Sequence, residues 1–237
     1  MRTLTTLVIA GLASLVSLHA QKPGQRPAEV NEKFIPYVTP LERDGIISGF
    51  NIGYRLLKFD LPTSILAREL PYFRNVLHLT DSQIRRFVFS LSLIEGHGDV
   101  EALNTSSGAS GFLQIVQQHA LEDYFRIMRL RGYTGANWFT AEDMRNPKKG
   151  YLITRIMPLR ILNTLAEHYK LTSLEVIARS WNKGVNGTLA NPRPSDNYWG
   201  RVCFTYIHLV EVHENNGSAT ACGPVPGRVI RPKSGKY

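Results

Sequence analysis

Between Thr80 and Val212, apolar side chains recur every three or four residues in five stretches, the period of a helix with a buried face. In the first, Thr80-Asp81-Ser82 supplies an N-cap, and Ile84, Val88, Leu91 and Glu95 follow at spacings of four, three and four before Gly96 and Gly98 stop the helix. The second is expected from about Gly111 to Arg131, with Leu113, Val116, Ala120, Tyr124 and Ile127 or Met128 inward and Gly132 as C-cap. The third begins near Tyr151 and carries Ile153, Ile156, Leu162, Leu165 and Tyr169. Pro158 has no amide hydrogen to give and is expected to kink it. The fourth opens on Thr172 and Glu175, spaced as a capping box, and ends near Asn182 before Gly184 and Gly187. The fifth runs from about Ser195 to Val212, with Trp199, Val202, Cys203, Tyr206 and Leu209 or Val210 inward.

Outside these stretches the pattern weakens. Residues 21–45 are rich in Pro, Glu and Lys and read as an arm; residues 46–75 mix apolar runs with Pro62 and Pro71 and read as short helices or loops. Beyond Glu214 the chain turns to Asn, Gly, Pro and basic residues, the composition of a loose tail. No stretch reads as a convincing strand. The expected organisation is a mainly α protein: residues 1–20, a covering segment over 21–79, a helical domain over 80–214 and a tail over 215–237. The first segment has Arg2, an apolar run from Leu4 to Leu18 and Ala20. That is the layout of a secretory signal peptide cut after Ala20; an uncleaved anchor is the alternative. The run falls short of the roughly 20 residues a membrane span needs, and no later segment is long and apolar enough. The chain is therefore expected to be exported, to a periplasm or the medium.

Composition adds a partner class. The 237 residues carry a formal net charge of +9, and 43% are hydrophobic, enough for a core. A basic exported protein suits anionic partners such as cell wall or acidic glycans, although solubility alone would also account for the charge. Export and the scatter of the basic residues argue against nucleic acid. The two cysteines, Cys203 and Cys222, permit a disulfide in an oxidising compartment, stabilising by roughly 3 kcal/mol; a plain buried thiol at Cys203 is the alternative. No His-Glu-x-x-His, paired Cys-x-x-Cys or Gly-rich phosphate loop appears, so neither metal nor cofactor is expected.

Glu95 is the residue that asks for an explanation. A carboxyl on an apolar helix face is penalised when charged, so its pKa rises, and an acid still protonated near neutrality can protonate a leaving group. The plain alternative is a helix-end Glu whose head reaches water. The local second carboxylates, Asp99 and Glu101, lie past the glycines at no dependable helical spacing. A glycosidase with one acid is still workable where the substrate's own acetamido group assists.

The stretch "IEGHGDVEALNTSSGASGFLQI" resembles the core motif of the soluble lytic transglycosylases, glycoside hydrolase family 23. "ARSWNKG", with Asn182 and Gly184, and "YWGRV", with Tyr198 and Val202, resemble two later blocks of the same family, in the same order. Gly96 stands where the family usually has Ser, and one extra residue separates Glu95 from the Gly-Ala block. The resemblance implies a lysozyme-like helical domain acting on peptidoglycan without a cofactor. It implies that Glu95 protonates the oxygen between N-acetylmuramic acid and N-acetylglucosamine and then accepts the proton of the muramoyl 6-hydroxyl, giving a 1,6-anhydro end. It implies that Ser107 orients the acetamido group, that Gln114 and Asn182 bind glycan, and that Tyr198 contacts Glu95 or the cleft. For Ser107 a loop hydroxyl, for Gln114 a first-turn polar residue, for Asn182 a loop brace and for Tyr198 a core aromatic remain the plain alternatives. His97 reads as an exposed loop residue, Trp199 as core, and Trp181 as core or as a sugar platform. Rival readings are a lysozyme-like hydrolase using water and a catalytically inactive wall-binding protein, the latter favoured by Gly96 and the extra residue.

Overall fold

The computed structural model describes residues 26–134, 138–190 and 196–216. The expected signal peptide, the tail beyond Asn216, Ser195 and Cys222 lie outside them. A 3-10 turn, Glu32–Tyr37, precedes α1 (Pro40–Asp60), α2 (Thr63–Glu69), α3 (Pro71–Asn75) and α4 (Asp81–Gly96). A small antiparallel hairpin follows, β1 (Leu103–Asn104) and β2 (Ala109–Ser110), with Leu103 opposite Ser110 and Asn104 opposite Ala109. A wide π-helical turn, Gln117–Leu121, runs into α5 (Glu122–Leu130), and a second, Leu152–Ile156, into α6 (Met157–His168). Then come α7 (Leu174–Lys183), α8 (Val185–Ala190), α9 (Asp196–Phe204), a third wide turn (Thr205–Glu211) and α10 (Val212–Asn215). The described chain is mainly helical, as the periodicity predicts.

The axis of the fold is α4. Thr80 accepts from the Gln83 amide while the Gln83 side chain accepts from the Thr80 amide, a capping box that starts the helix cleanly. Ile84, Phe87, Val88, Phe89 and Leu91 are all fully buried. The single stripe expected from sequence therefore understates the burial: α4 is covered on several sides, by α1, α2 and α9 among others. Each such side chain removed from water contributes on the order of 1.5–3 kcal/mol.

Several expectations need correction. The supposed arm is part of the fold. Val30 and Val38 are buried, and the Glu32–Tyr37 turn lies so close to α9 that a Cβ on Gly200 would sit 2.4 Å from the Phe34 carbonyl oxygen. Residues 40–60 form one 21-residue helix, not an arm followed by short pieces. Its start, Thr39 with Pro40 in the first turn and Glu42 closing a capping box, is a strong local signal. The second expected helix begins at Gln117 instead of Gly111. Ser110 and Ile115 exchange both backbone hydrogen bonds (3.0 and 2.9 Å), and Gly111 and Gln114 take positive φ, which no right-handed helix accepts. Gly132 does end α5 in the left-handed region. Pro158 lies in the first turn of α6 behind the wide turn, so the expected kink is absorbed there. The cap of α7 is Ser173, which accepts from the Val176 amide (3.2 Å), while Glu175 turns to Arg179. A hairpin appears where no strand was expected. Trp199, Val202, Cys203, Tyr206 and Val210 are buried as expected.

Candidate active site

Glu95 occupies the last turn of α4. His97 caps that helix in the left-handed conformation, and the amides of His97 and Gly98 both return to the Ser92 carbonyl. Two glycine contacts enclose this helix end. On one side α1 crosses at Gly53, where a Cβ would lie 2.1 Å from the His97 carbonyl oxygen and 2.8 Å from Leu93. On the other, a Cβ on Gly96 would lie 3.1 Å from the Gly111 oxygen and from Phe112. Backbone thus approaches backbone on both flanks, which only glycine permits without displacement. Gly53 is a close neighbour of this helix end that the sequence reading did not single out; the spacing Gly45, Gly49, Gly53 along one face of α1 was the available signal.

The Tyr198 hydroxyl donates a hydrogen bond to Glu95 Oε1, joining α9 to the end of α4 across 103 residues of sequence. Burial raises the Glu95 pKa above its ordinary 4.5. The Tyr198 hydrogen bond and the more distant positive charge of Arg201 favour the carboxylate, but burial outweighs both. Tyr198 is itself pushed well above the ordinary tyrosine range, first by burial and then by Glu95, so it is a fixed donor and not an acid. Asp99 and Glu101 are exposed, and Asp99 is spent on its own turn, accepting from the Glu101 amide (2.8 Å). His97 is exposed, as expected.

The loop Gly111–Ile115 runs from beside Gly96, at the end of α4, to a cleft. Gln114, at φ +49°, folds its side-chain amide back onto the Gly111 carbonyl (2.9 Å), and the Trp181 indole N–H donates to the Leu113 carbonyl (2.9 Å). Beyond them opens a cleft of about 740 Å³ whose lining includes Gln114, Tyr169, Trp181, Asn182 and Lys183. The structure therefore brings Glu95 to Tyr198, and Gln114 to Asn182; the loop meets α4 at Gly96, and neither Glu95 nor Tyr198 is among the residues lining the cleft. Ser107 stands at the exposed hairpin tip. Asn104 organises that tip by accepting from Ser106 and Ser107, and the Ser107 hydroxyl accepts from the Ala109 amide (3.3 Å). Cys203 forms no disulfide among the described residues and is fully buried on α9, its thiol pKa pushed up to about 12 by burial; its expected partner Cys222 lies outside the described residues.

Comparison with protein-family models, with curated proteins and with solved structures finds no match for this chain. Among the described residues no helix is long and apolar enough to cross a membrane.

Proposed function

We propose that the chain is an exported peptidoglycan lytic transglycosylase with a lysozyme-like catalytic domain. The observation that carries this reading is a half-buried carboxyl, Glu95, at a helix end, held by a neutral hydroxyl donor with no cation in hydrogen-bond contact. Burial favours the protonated form of Glu95, and the glycosidic oxygen between N-acetylmuramic acid and N-acetylglucosamine takes that proton as the C1–O bond breaks. The muramoyl acetamido oxygen supports the positive charge developing at C1. The Glu95 carboxylate, now stabilised by the Tyr198 hydroxyl and the field of Arg201, takes the proton of the 6-hydroxyl, whose oxygen closes on C1. No second carboxylate is required, which agrees with Asp99 and Glu101 being exposed and Asp99 locally committed. Gln114 and Asn182 offer amides to the glycan from the cleft; Ser107, at the hairpin tip, reaches the acetamido group only when the glycan lies across the hairpin. The net positive charge suits a wall rich in carboxylates.

Mass spectrometry of digested muropeptides tests the reading, because anhydro ends are lighter than reducing ends by one water. Reducing ends alone would make the enzyme a hydrolase; binding to peptidoglycan without release of soluble fragments would make it an inactive wall protein. Glu95→Gln is expected to lower turnover about a thousandfold. Retained turnover in that variant would assign the chemistry to another acid.

A further inference from the structure

We infer that the cleft beside Trp181 is a receptor for ligand carboxylates, and, resting on the peptidoglycan reading, that these are the free carboxylates of the peptide stems on the glycan. Three cations line the cleft: Arg126, Arg129 and Lys183. Arg126 is committed, donating to Asp123 (2.5 Å) and to the Tyr169 hydroxyl (3.0 Å). Asp123 is thereby neutralised. The side chains of Arg129, from the last turn of α5, and Lys183, from the last turn of α7, are exposed and make no ion pair or hydrogen bond among the described residues. Of the lining acids only Glu122 is likewise uncommitted. The free charge of the cleft is therefore positive, set beside the fixed indole of Trp181 and the amides of Gln114 and Asn182. Two uncommitted cations against one uncommitted acid leave the cleft with an excess positive charge that a neutral sugar chain has no use for and a chain carrying carboxylates does. The competing explanation is that last-turn cations complement their own helix ends, which predicts a stability role and no ligand preference.

The test compares two soluble glycan-strand preparations: one with stems bearing free carboxylates, one with the same carboxylates capped as methylamides. Equilibrium binding is measured with full-length Glu95→Gln protein, so that ligand stays intact, as mass spectrometry of the recovered strands would verify. The free-carboxylate strands are expected to bind about tenfold tighter, an advantage that shrinks in about 0.5 M salt. Adding Arg129→Met and Lys183→Met should erase the preference and leave both preparations bound as the parent binds the capped one. Equal binding of the two preparations by the parent, binding of neither, or a preference that survives the double substitution would each overturn the inference. So would a lowered melting temperature in the double variant with its preference intact, since the cations would then serve their helices. Failure of the catalytic reading shows separately, as cleavage of the strands by Glu95→Gln, while the binding preference is still read.

Discussion

The two ends of α4 carry buried charge in opposite ways. In its N-terminal half, Arg86 is 7% exposed at its side chain and donates to Glu214 (2.8 Å), Glu211 (3.1 Å) and Asn215 (3.0 Å). Arg85 also pairs with Glu214, and Arg26 with Glu211. Burial works against the Arg86 charge, but these carboxylates outweigh it and hold its pKa above the ordinary value. At the other end Glu95 has a neutral hydroxyl as its hydrogen-bond donor, and burial shifts its protonation instead. Charge buried with partners ties α4 to the C-terminal helix and the N-terminal segment; a half-buried acid without a cation in contact has its protonated form favoured.

This contrast can be broken at either end. The largest stability effect is expected from Arg86→Met, which leaves Glu211 and Glu214 short of positive charge and should destabilise by about 3–5 kcal/mol in urea unfolding. A loss below about 1 kcal/mol would mean that the N-terminal network is not structural. Gly53→Ala comes next: its methyl collides with the His97 carbonyl, α1 must move, and about 1–3 kcal/mol should be lost together with activity. The same change at Gly45, where a Cβ meets nothing within 4 Å, serves as the control and should be nearly neutral. Tyr198→Phe removes a donor that favours the Glu95 carboxylate, so the alkaline limb of the pH–activity profile should move up, with a stability change of about 1 kcal/mol. An unmoved limb would detach Tyr198 from the chemistry.

The smallest effect concerns stability against pH. Because the folded pKa of Glu95 is raised, the folded chain keeps a proton that the unfolded chain releases between 4.5 and the raised value. Stability therefore falls as pH climbs through that window and levels off above it. Glu95→Gln lacks this dependence. It should match the wild type below about pH 4 and be the more stable of the two at neutral pH, as thermal melts across pH will show.

Local signals carried much of the helical layout. The Thr80 capping box, Gly132 and the apolar residues of α4 and α9 are visible in a window of a few residues because the hydrogen bonds they serve span only that far. The Thr39–Glu42 box was equally visible, yet Pro-rich surroundings masked the long α1. The stretch Gly111–Ile115 misled for a different reason: its apolar residues are buried by tertiary contact within a tight loop, and burial there does not follow helical period. Glu95 stood out by its apolar neighbours, and Gln114, Asn182 and Tyr198 by resemblance. Arg129 and Lys183 did not stand out, because an exposed cation looks the same in sequence whether it faces bulk water or a cleft.

Sequence alone settled that this chain is mainly helical and that an acid ends its central helix, since period, caps and breakers act through neighbours along the chain. The proton affinity of that acid and its hydrogen-bond donor were decided by the folded arrangement. Desolvation and hydrogen bonding belong to surroundings: Tyr198 reaches Glu95 itself, while Gly53 and Gly111 close on its helix neighbours His97 and Gly96, and these meet only once α1, the hairpin loop and α9 have closed around the end of α4.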